Sequence, residues 1–122
     1  MPQHNVNLQD LPGTYSVIGK NQADTEVTYK GTLILSLDAN NRVVAKWLIN
    51  NTQEQTGLGF FKNNILVINF QYLGDDNEIY KGVVVYHCLT KNILDGFWSE
   101  EYGNPKYLGE ERCFRDTDIV VN

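Results

Sequence analysis

The sequence has no long apolar run and no basic cluster. No apolar stretch among its 122 residues approaches the roughly 18 that a membrane-spanning helix needs. The net charge is −5 and the lysines and arginines are scattered, which argues against binding to a nucleic acid backbone. Residues 1–10 have neither the basic nor the apolar segment of a signal peptide. We therefore expect a cytoplasmic protein, provided that no leader has been removed, with no nucleic acid or membrane partner.

A sustained helical period of 3.6 residues is also missing. Short β-rich runs recur instead about every 10 to 14 residues, separated by Asn, Asp, Gly and Lys, which is typical of all-β barrels and sandwiches. One domain, 1–122, is predicted, with a flexible N-terminal tail over residues 1–10 and a C-terminal tail over 116–122. Eight strands are predicted over residues 13–20, 26–37, 42–51, 54–61, 65–73, 78–89, 93–100 and 107–115.

Asparagine-rich turns set the strand registers. Residues 63–64, both Asn, suit a two-residue type I′ turn because Asn tolerates positive φ, and this turn pairs Lys62 with Ile65. Residues 39–41 suit a three-residue turn with Asn41 in the left-handed region. Both registers place large apolar residues on one face, which supports them.

Consecutive hairpins predict that each strand lies antiparallel to the next in a meander. Eight such strands leave two exposed edges unless the sheet closes. We therefore predict an all-β, eight-stranded antiparallel up-and-down barrel, with a β-sandwich as the alternative. A barrel of this size can be filled by its own side chains or can hold one small ligand.

Short motifs along the chain resemble those of known barrels. Gly13-Thr14-Tyr15 opens strand one, where lipocalins and avidins carry Gly-x-Trp. The further motifs are Tyr29-x-Gly31, Trp47, Gly57-x-Gly59, Gly82-Val-Val-Val-Tyr86, Leu94-x-Gly96-x-Trp98 and Gly109-x-Glu111. From about residue 13 to 115 the chain resembles small bacterial calycin-like proteins of unknown function, which implies a lipocalin-like or avidin-like barrel. Strand one lacks the Asn and Ser that avidins place beside biotin, so biotin binding is not implied.

The hairpin between strands six and seven decides which residues face the lumen. The resemblance favours a three-residue turn over 90–92 with Asn92 in the left-handed region, because the family often has Gly at that position, and this turn pairs Leu89 with Ile93. A two-residue turn would instead put His87 on the face of Trp98. In the preferred register the predicted ligand-binding residues of the lumen are Tyr15, Tyr29, Trp47, Phe70, Tyr86 and Trp98. The resemblance implies that Glu111 on strand eight also points into the lumen, opposite Gly96.

The same alternation places an apolar wall on the outside of strands four to eight. Such a wall is expected to be covered, and two-fold homodimers are the commonest oligomers. The predicted oligomer interface comprises Phe60, Val67, Val85, His87, Ile93, Phe97 and Phe114. His87 and Asp95 could form an oriented base, but we interpret them as a cross-strand polar pair, because Cys88 points the other way.

Cysteine and histidine are scarce, with two of each. Cys88 and Cys113 lie on strands separated by a third, roughly 9–10 Å apart by strand spacing, which is too far for a disulfide. We expect two free, buried thiols. No metal-binding motif or glycine-rich phosphate loop is present, so we predict neither a metal site nor a cofactor.

Three functions fit these predictions. The favoured one is a non-enzymatic barrel that binds a small apolar or aromatic ligand in a cavity of roughly 300 Å³ or more. The alternative is a structural or interaction module that acts through its apolar outer face in a homodimer. A third is a small isomerase or cyclase that uses Glu111 and tyrosines as acid and base, which requires an accessible Glu111 with a raised pKa. A buried Glu–Tyr–Trp network could either anchor a ligand or simply satisfy itself.

Overall fold

The computed structural model describes residues 5–24 and 26–116, which form a closed eight-stranded barrel. Every strand pairs antiparallel with the next along the chain, and the first strand pairs with the last. The predicted all-β meander barrel is therefore confirmed. The strands are β1 (Gly13–Lys20), β2 (Thr28–Leu37), β3 (Val43–Ile49), β4 (Gln53–Lys62), β5 (Ile65–Leu73), β6 (Ile79–Thr90), β7 (Ile93–Glu100) and β8 (Gly109–Arg115).

Two asparagine turns have the predicted geometry. Asn63 and Asn64 have φ values of 51° and 64°, and Lys62 pairs with Ile65 across them. Asn41 has a φ of 62° and ends the three-residue turn between β2 and β3. These registers are confirmed, because Asn is one of the few residues besides Gly that adopts the left-handed conformation readily.

The turn between β6 and β7 differs from the prediction. Thr90, and not Leu89, pairs with Ile93, so the loop has two residues and Leu89 forms a bulge in β6. Asn92 is not among the residues with positive φ in the described part of the chain. Its backbone N–H donates to Oγ1 of Thr90 at 3.0 Å, a side-chain bond that closes the turn without a left-handed residue. The predicted three-residue turn is therefore wrong.

The bulge preserves the predicted division between the two faces of this hairpin. For the residues that precede Leu89 in β6, the register matches the prediction, with His87 opposite Asp95 and Cys88 opposite Leu94. A bulge adds one residue to a strand and so reverses the alternation of inward and outward side chains. The loop is one residue shorter than predicted, and this difference cancels the reversal. Cys88 therefore faces the interior and His87 faces outward.

One end of the barrel, which we call the closed end, is packed with aliphatic side chains and covered by the N-terminal segment. Leu8–Asp10 form a 3-10 helix, and Val6 and Leu11 are buried against the core. These residues include part of the predicted flexible tail, whereas residues 1–4 and the C-terminal residues 117–122 lie outside the described residues. Within the described ranges, no helix has the length and apolar character needed to cross a membrane.

Arg115 fastens this segment to the barrel. Its guanidinium donates to the backbone oxygens of Pro12 at 2.9 Å, Lys91 at 2.9 Å and Asp10, and to the Tyr15 hydroxyl at 2.7 Å. It also lies 4.8 Å from the centroid of the Tyr15 ring, a cation–π distance. One planar, multi-donor side chain thus joins the N-terminal segment, the β6–β7 turn and β1.

We expect Arg115→Ala to lower the free energy of unfolding by about 2–3 kcal/mol, because several charge-assisted hydrogen bonds disappear together. Urea denaturation would measure the loss. The matched control is Arg112→Ala on the same strand, whose partly exposed ion pair with Asp95 at 3.2 Å should contribute less than about 1 kcal/mol. Equal losses in the two variants would contradict the assigned role of Arg115.

Candidate ligand-binding site

The end of the barrel opposite the N-terminal segment, the open end, contains a cavity of about 280 Å³. Its deeper walls come from β2, β3, β5, β6, β7 and β8, so almost the whole barrel contributes. The deeper lining residues are Tyr29, Trp47, Ile49, Phe70, Val84, Trp98 and Glu111. The lining residues nearer the mouth are Asn21, Val27, Thr28, Asn50, Gln53, Gln55, Tyr72 and Glu100.

Inward-facing glycines make room for the interior aromatic rings. A Cβ built on Gly109 would lie 2.0 Å from the Trp98 indole, and one on Gly82 would lie 2.4 Å from the Phe70 ring. Each ring therefore lies over a glycine of the neighbouring strand and packs against the barrel wall. The directly paired positions are Tyr29 with Gly19, Phe70 with Gly82, Tyr86 with Gly96 and Trp98 with Gly109.

Four aromatic rings follow one another around the cavity at steep angles. Phe70 lies between the two indoles, with its centroid 6.1 Å from Trp47 and 6.2 Å from Trp98 and interplanar angles of 68° and 85°. Tyr29 lies 6.5 Å from Trp98 at 58°. These separations are typical of favourable edge-to-face pairs. The rings thus pack against one another and form the walls of the cavity.

The floor of the cavity is a hydrogen-bonded network that ends on Glu111. Trp98 Nε1 donates to the Tyr29 hydroxyl at 2.9 Å, which donates to Glu111 Oε1 at 2.7 Å. From the other side, Trp47 Nε1 donates to the Tyr86 hydroxyl at 3.3 Å, which donates to Glu111 Oε2. An indole can only donate, so each tyrosine has an acceptor site filled and directs its proton to the carboxyl group.

Burial determines the ionisation of this network. Glu111 is 6% exposed, and desolvation raises its pKa above the ordinary 4.5, although hydrogen bonds from Tyr86 and Tyr29 act in the opposite direction. Desolvation, with the nearby carboxylate, also raises the pKa of Tyr29. Among the described residues no lysine, arginine or histidine forms an ion pair with Glu111. The floor therefore holds an acid that accepts a hydrogen bond at each oxygen and forms no ion pair with the described residues.

A second carboxylate lies at the mouth. Glu100 Oε1 accepts a hydrogen bond from the Tyr72 hydroxyl at 2.6 Å, and its backbone N–H donates to Gln22. Across the mouth, Gln55 Nε2 donates to Gln53 Oε1 at 2.6 Å. The mouth is thus polar, whereas the walls below it are aromatic.

Most of the predicted lumen residues surround the cavity. Five of the seven line it, and Tyr86 lies beneath it, in contact with Glu111. Tyr15 does not line it, because this residue lies at the closed end under Arg115. The prediction missed Tyr72 and Glu100, although continuing the alternation from the inward-facing Phe70 and Trp98 would have located them. The prediction selected mainly apolar residues and did not extend to the strand ends, where polar residues line the mouth.

The predicted interface residues lie on the outer face, and four of them form one continuous row. Phe60 pairs with Val67, Val67 with Val85, and Val85 with Phe97, and we call this row the outer stripe. Ile93 and Phe114 pair with each other on β7 and β8.

Beside the outer stripe runs a parallel row that is largely charged. His87 lies opposite Asp95, but Asp95 pairs with Arg112, and no hydrogen bond joins the histidine to it in the described part of the chain. The outer stripe is therefore bordered on one side by charged groups and on the other by the exposed Leu58 and Val83. Within the described residues, His87 shows none of the partners that an oriented base requires.

Both cysteines are free and buried, as predicted. Burial raises the pKa of the Cys88 thiol to about 11 and that of Cys113 well above its ordinary value, so both are poor nucleophiles near neutral pH. In the described residues no group of three or more His, Cys, Asp or Glu side chains could hold a metal ion.

Comparison with known proteins shows the fold and no family. No family model and no curated protein match this chain. A redesigned β-barrel, b11L5F_LGL, superposes with a TM-score of 0.70 at 16% identity, over 90% of this chain and 95% of that chain. EF1p2_mFAP2b bound to DFHBI superposes with a TM-score of 0.63 at 18% identity, over 88% and 95%. At such low identity the similarity extends to the eight-stranded barrel alone.

The raised pKa of Glu111 predicts a pH dependence of stability. Between 4.5 and its folded pKa, the folded protein holds a proton that the unfolded chain has released. The stabilising contribution of this proton is fully present below 4.5 and is lost as the pH rises through the folded pKa. Glu111→Gln, which does not titrate, should lack this loss.

Urea unfolding at steps from about pH 4 to about pH 8 would measure the stability difference between the original protein and Glu111→Gln. That difference should move in favour of the variant as the pH rises. Hydrogen bonds from Arg42 and Tyr80 lower the pKa values of Asp38 and Asp76, whose contributions change only below 3.8 and are common to both proteins. A constant difference would show that Glu111 has an ordinary pKa.

Proposed function

We propose that this protein is a non-enzymatic barrel that binds a small aromatic or apolar ligand in the cavity at its open end. The observation that carries the proposal is a cavity enclosed by Tyr29, Trp47, Phe70 and Trp98 and connected to solvent through a polar mouth. Apolar walls with a few fixed polar groups are the usual composition of a small-molecule site. Filling such a cavity would remove aromatic surface from water.

The size of the cavity limits the ligand. Its volume of about 280 Å³ is slightly below the roughly 300 Å³ expected from the sequence, at the lower end of known ligand pockets. We therefore propose a ligand of one or two rings. The similar barrel EF1p2_mFAP2b, bound to DFHBI, supports the view that a chain of this length can form a ligand site. The resemblance of the sequence to lipocalin-like and avidin-like barrels supports the same proposal.

We favour binding over catalysis for a geometric reason. Glu111 borders the cavity and has a raised pKa, as a general acid would. Both of its oxygens, however, already accept hydrogen bonds from Tyr29 and Tyr86. Neither cysteine is among the residues lining the cavity in the described chain. The network thus suits a rigid polar floor better than a group that must release and regain a proton.

A substitution that fills the cavity should abolish binding. We expect the original protein to bind tert-butylbenzene, with a change in the fluorescence of Trp47 and Trp98, its only two tryptophans. Val84→Phe should weaken this binding at least about tenfold, because the added ring occupies the space that the ligand needs. The matched control is Val83→Phe, the preceding residue on β6, which is 41% exposed on the outer face outside the outer stripe and should bind normally.

A second variant guards against misfolding of Val84→Phe. Gln53 lines the mouth and lies on the inward face of β4, so Gln53→Trp should obstruct entry without disturbing the core. Both variants should lose binding while unfolding as cooperatively as the original protein. Undiminished binding by both, or no binding by the original protein, would overturn the proposed site.

The outer stripe supports a second proposed function, the formation of a homodimer. Phe60 and Phe97 expose 62% and 48% of their surface, although they belong to one unbroken apolar row across four strands. The exposed Leu58 and Val83 extend this apolar surface on one side, and a contiguous apolar patch is typical of surfaces that meet a partner. A two-fold axis across it would pair the stripe of one copy with the stripe of another.

Light scattering during size exclusion would test the dimer. We expect a dimer at micromolar concentration and a monomer for Phe97→Asp, because burying an unpaired carboxylate in the interface is costly. The matched control is Ile34→Asp on β2, which is 47% exposed and lies away from the outer stripe. A monomeric original protein, or equal effects of the two changes, would count against the stripe.

A further inference from the structure

The cavity carries acidic groups at two depths and no basic group, and the inference drawn from this charge rests on the proposed ligand site. Glu111 lies at the floor and Glu100 at the mouth. No lysine, arginine or histidine of residues 5–24 and 26–116 lines the cavity. The chain as a whole carries a net charge of −5. A ligand entering the cavity therefore meets negative charge throughout, which attracts cations and repels anions.

Glu111 is a buried acid for which the described residues supply no counter-ion. Buried carboxylates in proteins are normally paired with a cation, because hydrogen bonds alone do not neutralise them. The two ion pairs in the described chain, Arg42 with Asp38 and Arg112 with Asp95, both lie on the surface. Glu111 borders an open cavity and forms no ion pair with the described residues, so a cationic ligand in the cavity could act as its counter-ion.

The hydrogen-bond donors of the floor are already in use. The indole protons of Trp47 and Trp98 go to tyrosine hydroxyls, and the hydroxyl protons of Tyr29 and Tyr86 go to Glu111. Each carboxylate oxygen can accept more than one hydrogen bond, so Glu111 still has acceptor capacity. The floor thus favours a ligand that donates protons or carries positive charge.

The walls favour the same charge. The faces of Trp, Tyr and Phe rings are negative because of their quadrupoles, and they attract cations placed within about 6 Å. Tyr29, Trp47, Phe70 and Trp98 all line the cavity, and Tyr72 adds a fifth ring at the mouth. A box of aromatic rings with a carboxylate at its base is the arrangement that recognises organic ammonium ions.

We propose that the ligand is a small organic ammonium ion, with its cationic group toward Glu111 and its apolar body among the aromatic rings. The cation neutralises the buried carboxylate, and the rings cover the apolar body. Neutral aromatic molecules of the same shape bind more weakly, and aromatic anions are excluded.

Three probes of similar size test the charge directly by calorimetry or fluorescence titration: phenyltrimethylammonium, tert-butylbenzene and benzoate. The first two have the same shape and differ in charge. We expect phenyltrimethylammonium to bind at least about tenfold more tightly than tert-butylbenzene, since a desolvated cation–π site favours the cation by this order. Benzoate should show no binding.

Substitutions of the two carboxylates should remove the preference. Glu111→Gln and Glu100→Gln each keep the shape of the side chain, and each should lower the ratio of the two affinities toward one. The matched control is Glu101→Gln, an exposed neighbour that does not line the cavity, which should leave the ratio unchanged. Glu100 lies at the mouth, outside the buried network, so its variant remains informative if Glu111→Gln fails to fold.

The affinity for the cation should also rise with pH until Glu111 is ionised. The titratable groups that contact Glu111 are Tyr29 from β2, Tyr86 from β6 and Cys113 from β8. All three have raised pKa values, so they stay protonated over this range. The part of the rise that comes from Glu111 should therefore be lost in Glu111→Gln, and the part that comes from Glu100, the other carboxyl group of the cavity, should remain.

The possible outcomes separate this inference from the proposed function. Equal or tighter binding of tert-butylbenzene, or an affinity ratio that survives both carboxylate variants, would overturn the cation preference and leave the ligand site intact. Absence of binding by all three probes would overturn both. Binding of benzoate as tight as that of phenyltrimethylammonium would also refute the charge argument.

Discussion

A carboxyl group buried inside a small barrel is the constraint on which the rest of the interior depends. Glu111 can remain there only if hydrogen bonds replace the water it has lost. Tyr29 and Tyr86 supply them from opposite sides, and each tyrosine is itself held by an indole, from Trp98 and Trp47. One side chain of β8 thereby positions residues of β2, β3, β6 and β7. The network also separates the filled closed end from the cavity.

The pairing of large rings with glycines explains why the space above Glu111 is not filled. A ring that points to the axis of an eight-stranded barrel would occupy its centre. Phe70 and Trp98 instead lie over Gly82 and Gly109 on the adjacent strands, where any Cβ would collide with them. The glycines and the aromatic residues are thus parts of one arrangement. Their reciprocal placement is visible in the sequence only after the strand registers are known.

How much of the structure the sequence predicts depends on how far apart in the chain the interacting residues lie. Local turn chemistry at Asn41 and Asn63 is enough to set the registers of the two hairpins that contain these turns. The inward position of Glu111 on β8 was predicted from the family resemblance. The β6–β7 turn was mispredicted because a Thr90 side-chain bond and a bulge produce the same faces as a left-handed Asn92. The position of Tyr15 depends on Arg115, which is 100 residues away in the chain. Contacts of that kind follow from the closed barrel and cannot be read from periodicity.

The barrel wall is one strand thick, so the cavity and the outer stripe share a backbone. Val84 lines the cavity and Val85 belongs to the outer stripe, and the same alternation links Trp98 with Phe97 on β7. Close-packed walls transmit small displacements, so a ligand that presses on Val84 and Trp98 acts on the strands that carry the stripe. Alternate positions nevertheless separate the two sites chemically, because a substitution on one face leaves the side chains of the other in place. The proposed ligand site and the proposed dimer surface therefore share strands while their determinants stay distinct.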